Sequence, residues 1–120
     1  MPFENTLNAR VARKHADGVT LHFALSPGYL NTSGVLHGGI TASMADEAAW
    51  HAIESRFGYG VRKSTTTELK VNYLRPIVGK KAIARAYMVR AGKTLCVMRV
   101  DIFDEKKNLA AIAIVTYMLL

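Results

Sequence analysis

Hydrophobic and polar positions change rhythm twice along this chain. From Leu7 to Leu25 apolar and polar residues alternate in two short runs, LNARVARKH and VTLHFAL, and the pair Asp17-Gly18 between them is a strong hairpin signal. SPGYLNTSG, from Ser26 to Gly34, is turn chemistry throughout. From about His37 to Arg56 there is no proline, no glycine after Gly39, and alanine at 42, 45, 48, 49 and 52, which predicts one long helix. RFGYG stops it. Four strand-like runs follow, Lys63 to Tyr73, Lys81 to Val89, Thr94 to Phe103 and Leu109 to Met118, joined by RPIVGK, RAGK and DEKKN. Two strands, a helix and four strands predict an α+β fold in which an antiparallel sheet wraps one principal helix.

Laid out at about 100° per residue, the helix places Ala42, Ala45, Ala48, Ala49, Ala52 and Ile53 on one apolar arc, the side expected to face the sheet. Ser43, Glu47, His51 and Glu54 gather on the opposite arc, where Glu47 reads as an ordinary exposed acid. Asp46 joins neither group. It falls between Ile53 and Trp50 at the edge of the buried arc, and its neighbours three and four positions away are Ala42, Ser43, Ala49 and Trp50, none of them charged. An acid so placed is tied by hydrogen bonds, covered from outside the helix, or held for reaction, and partial desolvation suits a general base.

His37, Gly38 and Gly39 stand where that helix begins. The first N–H groups of a helix have no internal acceptor, its dipole favours negative charge there, and glycine lets a ligand approach the backbone. The three residues can therefore polarise a carbonyl and stabilise an oxyanion. The plainer alternative is that they only shape the entry to the helix. Serine-elbow, phosphate-loop, dinucleotide and HExxH motifs are absent, and His15, His22, His37 and His51 have no metal-ligand spacing. No metal or cofactor is expected.

The 120 residues fit a single domain, 1–120, with 50% hydrophobic and 21% charged residues. No run approaches the roughly 20 apolar residues of a membrane span, and the first fifteen residues lack the apolar core of a signal peptide, so a cytoplasmic protein without membrane partners is expected. Cys96, the only cysteine, lies in the apolar run TLCVMRV and reads as a small buried hydrophobe. The net charge of +7 favours an anionic partner, and most of the cations are spread over the strands and turns of the second half rather than gathered in a tail or recognition helix.

The stretch NTSGVLHGGITASMAD, with the strand ending ELKVNYLRPI and the turn RAGKT, resembles the hotdog-fold acyl-CoA thioesterases of the phenylacetic-acid-degradation (PaaI) type, over nearly the whole chain. The resemblance implies two chains pairing into one continuous sheet, with active sites at the dimer interface and a dimer of dimers as the expected assembly. It makes Asp46 the general base or nucleophile and Gly38, from the other chain, the N–H donor to the thioester carbonyl. Asn31 and His37 would place substrate or water, and Thr66 takes the position where relatives often carry serine or threonine. Coenzyme A, part of the substrate, would lie along Tyr73 to Val78 and Arg90 to Leu95, involving Gly39, Tyr73, Arg75, Pro76, Arg90, Gly92, Lys93 and Thr94. The likeness points toward an aryl or phenylacetyl acyl group, with the choice between aryl and aliphatic left to the shape of the pocket, which Trp50 narrows unless it seals the core.

Three other readings stay open. A hotdog domain can bind acyl-CoA as a sensor without hydrolysing it. A hydroxyacyl-thioester dehydratase would use His37 as its base. The positive charge also suits nucleic acid, which the acyl-CoA reading does not require.

Overall fold

The computed structural model describes residues 3–120, and its elements follow the predicted order. After a short 3-10 turn at Phe3–Leu7 come β1 (Ala9–His15), β2 (Gly18–Ala24), α1 (Gly38–Phe57), β3 (Ser64–Tyr73), β4 (Lys81–Ala91), β5 (Leu95–Asp104) and β6 (Leu109–Leu119). The boundaries lie within two residues of those read from the pattern. The strands form one sheet in the order β1-β2-β4-β5-β6-β3, antiparallel at every pairing.

The period of two decides which residues face α1. Val19, Leu21 and Phe23 of β2, Ala82, Ala84 and Ala86 of β4, Cys96, Met98, Val100 and Ile102 of β5, and Ala111, Ala113, Val115 and Tyr117 of β6 are all buried. From the helix, Met44, Ala45, Ala48, Ala49, Ala52 and Ile53 meet them. Alanine on both sides of the α1–β4 contact lets the two backbones come close. Cys96 is buried as its sequence context suggests, and burial pushes its thiol up, away from the reactive thiolate.

Three details depart from the sequence reading. The hairpin turn is Ala16-Asp17 rather than Asp17-Gly18, because Gly18 opens β2 and pairs with His15. Gly18 has φ +156°, and a Cβ there would run into the carbonyl oxygen of Ala86 on β4. Glu54, placed outward by the helical wheel, is only 3% exposed. RFGYG folds back over the last helical turn through Gly58, at φ +100°, and the Gly60 N–H donates to Glu54 Oε1 at 2.9 Å. Finally, β3 carries a one-residue irregularity between Thr66 and Glu68, which puts Thr66 and Leu69 on the same face of the strand.

Among the described residues no helix is long and apolar enough to cross a membrane. The Gly18 contact sets an expectation for stability. Gly18→Ala should lower the free energy of unfolding by about 1–3 kcal/mol, through both backbone strain and the Ala86 clash. Gly28→Ala, where an added Cβ meets nothing within 4 Å, should stay within about 0.5 kcal/mol of wild type in the same urea titration.

Candidate active site

α1 begins at an exposed, tightly tied turn. His37 is the N-cap, and its Nδ1 accepts the Gly39 N–H at 3.1 Å. Its own N–H donates to the Tyr29 carbonyl at 2.8 Å. In the neutral ring this bond leaves the proton on Nε2. The Gly38 N–H, one residue into the helix, has no acceptor among the described residues. Tyr73, from the end of β3, donates its hydroxyl to the Gly38 carbonyl at 2.6 Å and so fixes that end of the helix. Asn31 ties the preceding loop, its Oδ1 accepting the N–H groups of Ser33 and Val35 at 2.9 and 3.1 Å.

Two turns further along, Asp46 is half-buried, and no cation pairs with it among the described residues. Thr66 of β3 donates its hydroxyl to Asp46 Oδ1 at 2.7 Å, and the Tyr117 hydroxyl of β6 lies 2.8 Å from the same oxygen. Oδ2 takes no hydrogen bond from the described residues. Burial, together with the negative charge of Asp46, pushes the Tyr117 phenol far above the usual tyrosine range, so this hydroxyl keeps its proton. Asp46 borders a cavity of about 260 Å³ whose other walls are Phe3, Leu7, Ser43, Glu47, Trp50 and Tyr117.

Glu47 is not turned to solvent as the helical wheel suggests: its side chain is 15% exposed and lines the same cavity. Its Oε1 lies 3.4 Å from His51 Nε2, while His51 Nδ1 is 2.7 Å from the Tyr59 hydroxyl. Trp50 stands edge-on to both rings, with centroids 4.9 and 6.0 Å away, which fixes it as the cavity's aromatic wall.

The site is therefore a carboxylate oriented by two hydroxyls, beside a cavity of mixed apolar and polar walls, on a helix whose start offers an N–H without an acceptor among the described residues. The sequence profile of the thioesterase superfamily matches residues 33–111, a span that holds both Gly38 and Asp46. The chain belongs to the thioesterase superfamily. The Escherichia coli medium/long-chain acyl-CoA thioesterase YigI is 30% identical to it, over 98% of this chain and 85% of that protein. A crystal structure of a thioesterase family protein from Silicibacter pomeroyi superposes with a TM-score of 0.89 at 28% identity, covering 100% of this chain and 90% of that one. A thioesterase structure from Haemophilus influenzae, at 22% identity, gives a TM-score of 0.88 over 97% of this chain and 80% of that chain. The six-stranded antiparallel sheet around one helix is the hotdog fold.

The thioesterase chain does not gather all of the residues expected at its site. Asp46 and Thr66 come together, and Tyr73 joins Gly38, but eight residues of helix separate Gly38 from Asp46, about 12 Å along the axis. Tyr73, Arg75 and Pro76 line a groove with Leu36 and Thr41 near the helix start. Gly92, Lys93 and Thr94 form the β4–β5 turn instead, following Arg90 near the end of β4. The Thr94 carbonyl there accepts the N–H of Leu119, the partner of Ser64 at the opposite end of β3. Ten residues of strand separate these two groups, about 30 Å.

Tyr117 is the residue that sequence reasoning missed. Its signal was available: it is a tyrosine on the buried phase of β6, a position where a hydroxyl needs a partner. No group of three or more His, Cys, Asp or Glu is arranged to hold a metal ion among the described residues.

The N-cap geometry of His37 makes its own prediction. His37→Ala should destabilise the fold by about 1 kcal/mol, whereas His37→Asn, which keeps an acceptor for the Gly39 N–H, should lose less than half of that in thermal or urea unfolding.

Proposed function

We propose that the protein is an acyl-CoA thioesterase in which Asp46 is the general base and a Gly38 N–H stabilises the oxyanion. The observation that carries this reading is the Asp46 carboxylate: one oxygen is held by Thr66 and Tyr117 and the other takes no hydrogen bond from the described residues, beside a cavity that Phe3, Leu7 and Trp50 wall together with Ser43 and Glu47. Water attacks the thioester carbonyl carbon while Oδ2 takes its proton, and the carbonyl oxygen becomes an oxyanion facing the helix start. Collapse breaks the C–S bond, and the proton on Asp46 passes to the departing thiolate, giving acid and coenzyme A. Direct attack by Asp46 would instead pass through an anhydride, and where water opens it at Asp46 Cγ, single turnover in 18O-water leaves label in Asp46. The dehydratase alternative loses support from His37, because its Nδ1 lone pair already accepts the Gly39 N–H.

Base and oxyanion donor must both come within about 3 Å of the reacting group, and 12 Å of helix keeps Gly38 and Asp46 of one chain apart. A second copy resolves this. β3 is an edge strand, exposed on nearly every residue, with Leu69 and Tyr73 among the exposed apolar side chains. β1, the other edge, is guarded by Arg10, Arg13 and Lys14. Antiparallel pairing of two β3 strands about a two-fold axis at Lys70, with the irregularity at Thr67 taking up one residue, sets Thr66 opposite the partner subunit's Tyr73. Thr66 holds Asp46 and Tyr73 holds Gly38, so this pairing carries the partner subunit's Gly38 toward Asp46. It also brings the Arg90–Thr94 turn of one chain toward the Tyr73–Pro76 segment of the other, as one coenzyme A site with Gly39, Arg75 and Lys93 requires. Asn31 and His37 keep the loop and cap that present Gly38.

The first measurement is thiol release from a panel of phenylacetyl-, benzoyl-, medium-chain and long-chain acyl-CoA. It separates the aryl preference implied by the family likeness from the medium and long chains for which the E. coli relative is named. Asp46→Asn should lower kcat by about a hundredfold or more. Gly38→Pro removes the N–H at the first helical position, where proline is tolerated, and His37, with ψ 133°, already has the backbone that a following proline needs. Each variant alone should be nearly inactive. Mixed and reassembled in equal amounts, they should recover about a quarter of wild-type activity, since half of the dimers are then mixed and each holds one intact site. No recovery after proven exchange would overturn the shared site, and binding without turnover by wild type would favour the sensor.

A further inference from the structure

We propose that Tyr117 is a positioning residue that, with Thr66, pins one oxygen of the Asp46 carboxylate and thereby assigns the reaction to the other. The inference rests on the reading of Asp46 as the base.

The terminal torsion of an aspartate is broad and nearly two-fold, so an acid without partners presents either oxygen over a wide arc. Here both donors converge on Oδ1, at 2.7 Å from Thr66 and 2.8 Å from Tyr117. The two side chains that do this are unequal. Thr66 is exposed on the edge strand. Tyr117 is only 5% exposed, its ring set between Val115 and Leu119 on the inner face of β6. It is thus the rigid member of the pair. They are also direct neighbours in the β3–β6 register, and the irregularity at Thr67 keeps Thr66 on the inner face beside Tyr117.

The Tyr117 hydroxyl lies 3.1 Å from the backbone carbonyl of Asp46 as well. It has one proton, and the shorter contact to the charged oxygen takes it. Ring and carboxylate are therefore linked at one point, and Oδ2 is left without a donor among the described residues. Because burial keeps the phenol protonated, this link persists at pH values where an exposed tyrosine would ionise.

The test measures kcat and KM for wild type, Tyr117→Phe, Asp46→Asn and the double variant with one acyl-CoA ester. Tyr117→Phe should lower kcat about tenfold, shift KM by less than about threefold, and cost nothing further once Asp46 is Asn. A ring that only filled the core would cost the same factor in both backgrounds, and that result, or a kcat within about twofold of wild type, overturns the proposal. Tetrafluorotyrosine placed at 117 covers the case of a poorly folding Phe variant. Its more acidic hydroxyl should add an alkaline limb to the kcat profile as the donor proton is lost, and an unchanged profile overturns the role. Wild type without turnover, or Asp46→Asn with full activity, overturns the parent reading and this one together. An inactive Asp46→Asn beside a fully active Tyr117→Phe overturns this one alone.

Discussion

The side chains between α1 and β4 are close to the smallest that still bury carbon: Ala45, Ala48, Ala49 and Ala52 on the helix, and Ala82, Ala84 and Ala86 on the strand. That close approach sets the curvature of everything around it. α1 touches β2, β4, β5, β6 and β3, five adjacent strands that would span about 19 Å if flat, against a helix about 10 Å across. The sheet keeps contact only by curling. Curling carries β6 and β3 around the flank of the helix, and that is where Tyr117 and Thr66 meet Asp46. A longer side chain at 48 or 52 would lift the sheet, and the flank bonds, which have a few tenths of an ångström of tolerance, would go before the core did.

The same wrapping leaves β3 in an unusual position for an edge strand. It is held on one side by β6 and only lightly by the helix, so apolar Leu69 and Tyr73 remain exposed. Natural edges are commonly blunted by charge, and β1 follows that rule. β3 carries Glu68 and Lys70 but interleaves them with apolar and threonine positions, which suits pairing with an oppositely directed copy of itself. In the proposed dimer one strand thus performs two tasks: Thr66 near its start serves the carboxylate, and Tyr73 at its end secures the helix start. Antiparallel self-pairing is the arrangement that brings opposite ends of one strand together.

How much of this was legible follows from which periodicities speak for themselves. The helix, its alanine face and the strand runs rest on local patterns and fall within two residues of expectation. Asp46 was legible for the same reason, as the acid that fitted neither arc of the wheel. Glu47 and Glu54 were misjudged because a wheel knows nothing of what folds over it: the RFGYG reversal covers Glu54, and His51 with Tyr59 draws Glu47 into the cavity wall. That Tyr117 is buried with a hydroxyl in need of a partner was legible in the β6 alternation; that Asp46 is the partner needed the β3–β6 register and the displacement at Thr67, both products of long-range pairing. A single slip in either would have pointed Thr66 or Tyr117 the other way.

Two adjacent acids border the cavity, and their surroundings separate them. Glu47 lies within 3.4 Å of an imidazole nitrogen that shares its ring with a bond to Tyr59, so its charge is answered by a group that can itself carry a proton. Among the described residues, Asp46 is answered only by two neutral hydroxyls. Neutral donors orient a carboxylate without cancelling its charge, whereas a cation would do both and would hold the lone pairs that a base must offer. A thioester asks little more, since its thiolate leaves readily. In the proposed reaction one oriented acid and one free N–H from across the two-fold axis then suffice, and Glu47 with His51 and Tyr59 is left to shape the cavity that receives the acyl group.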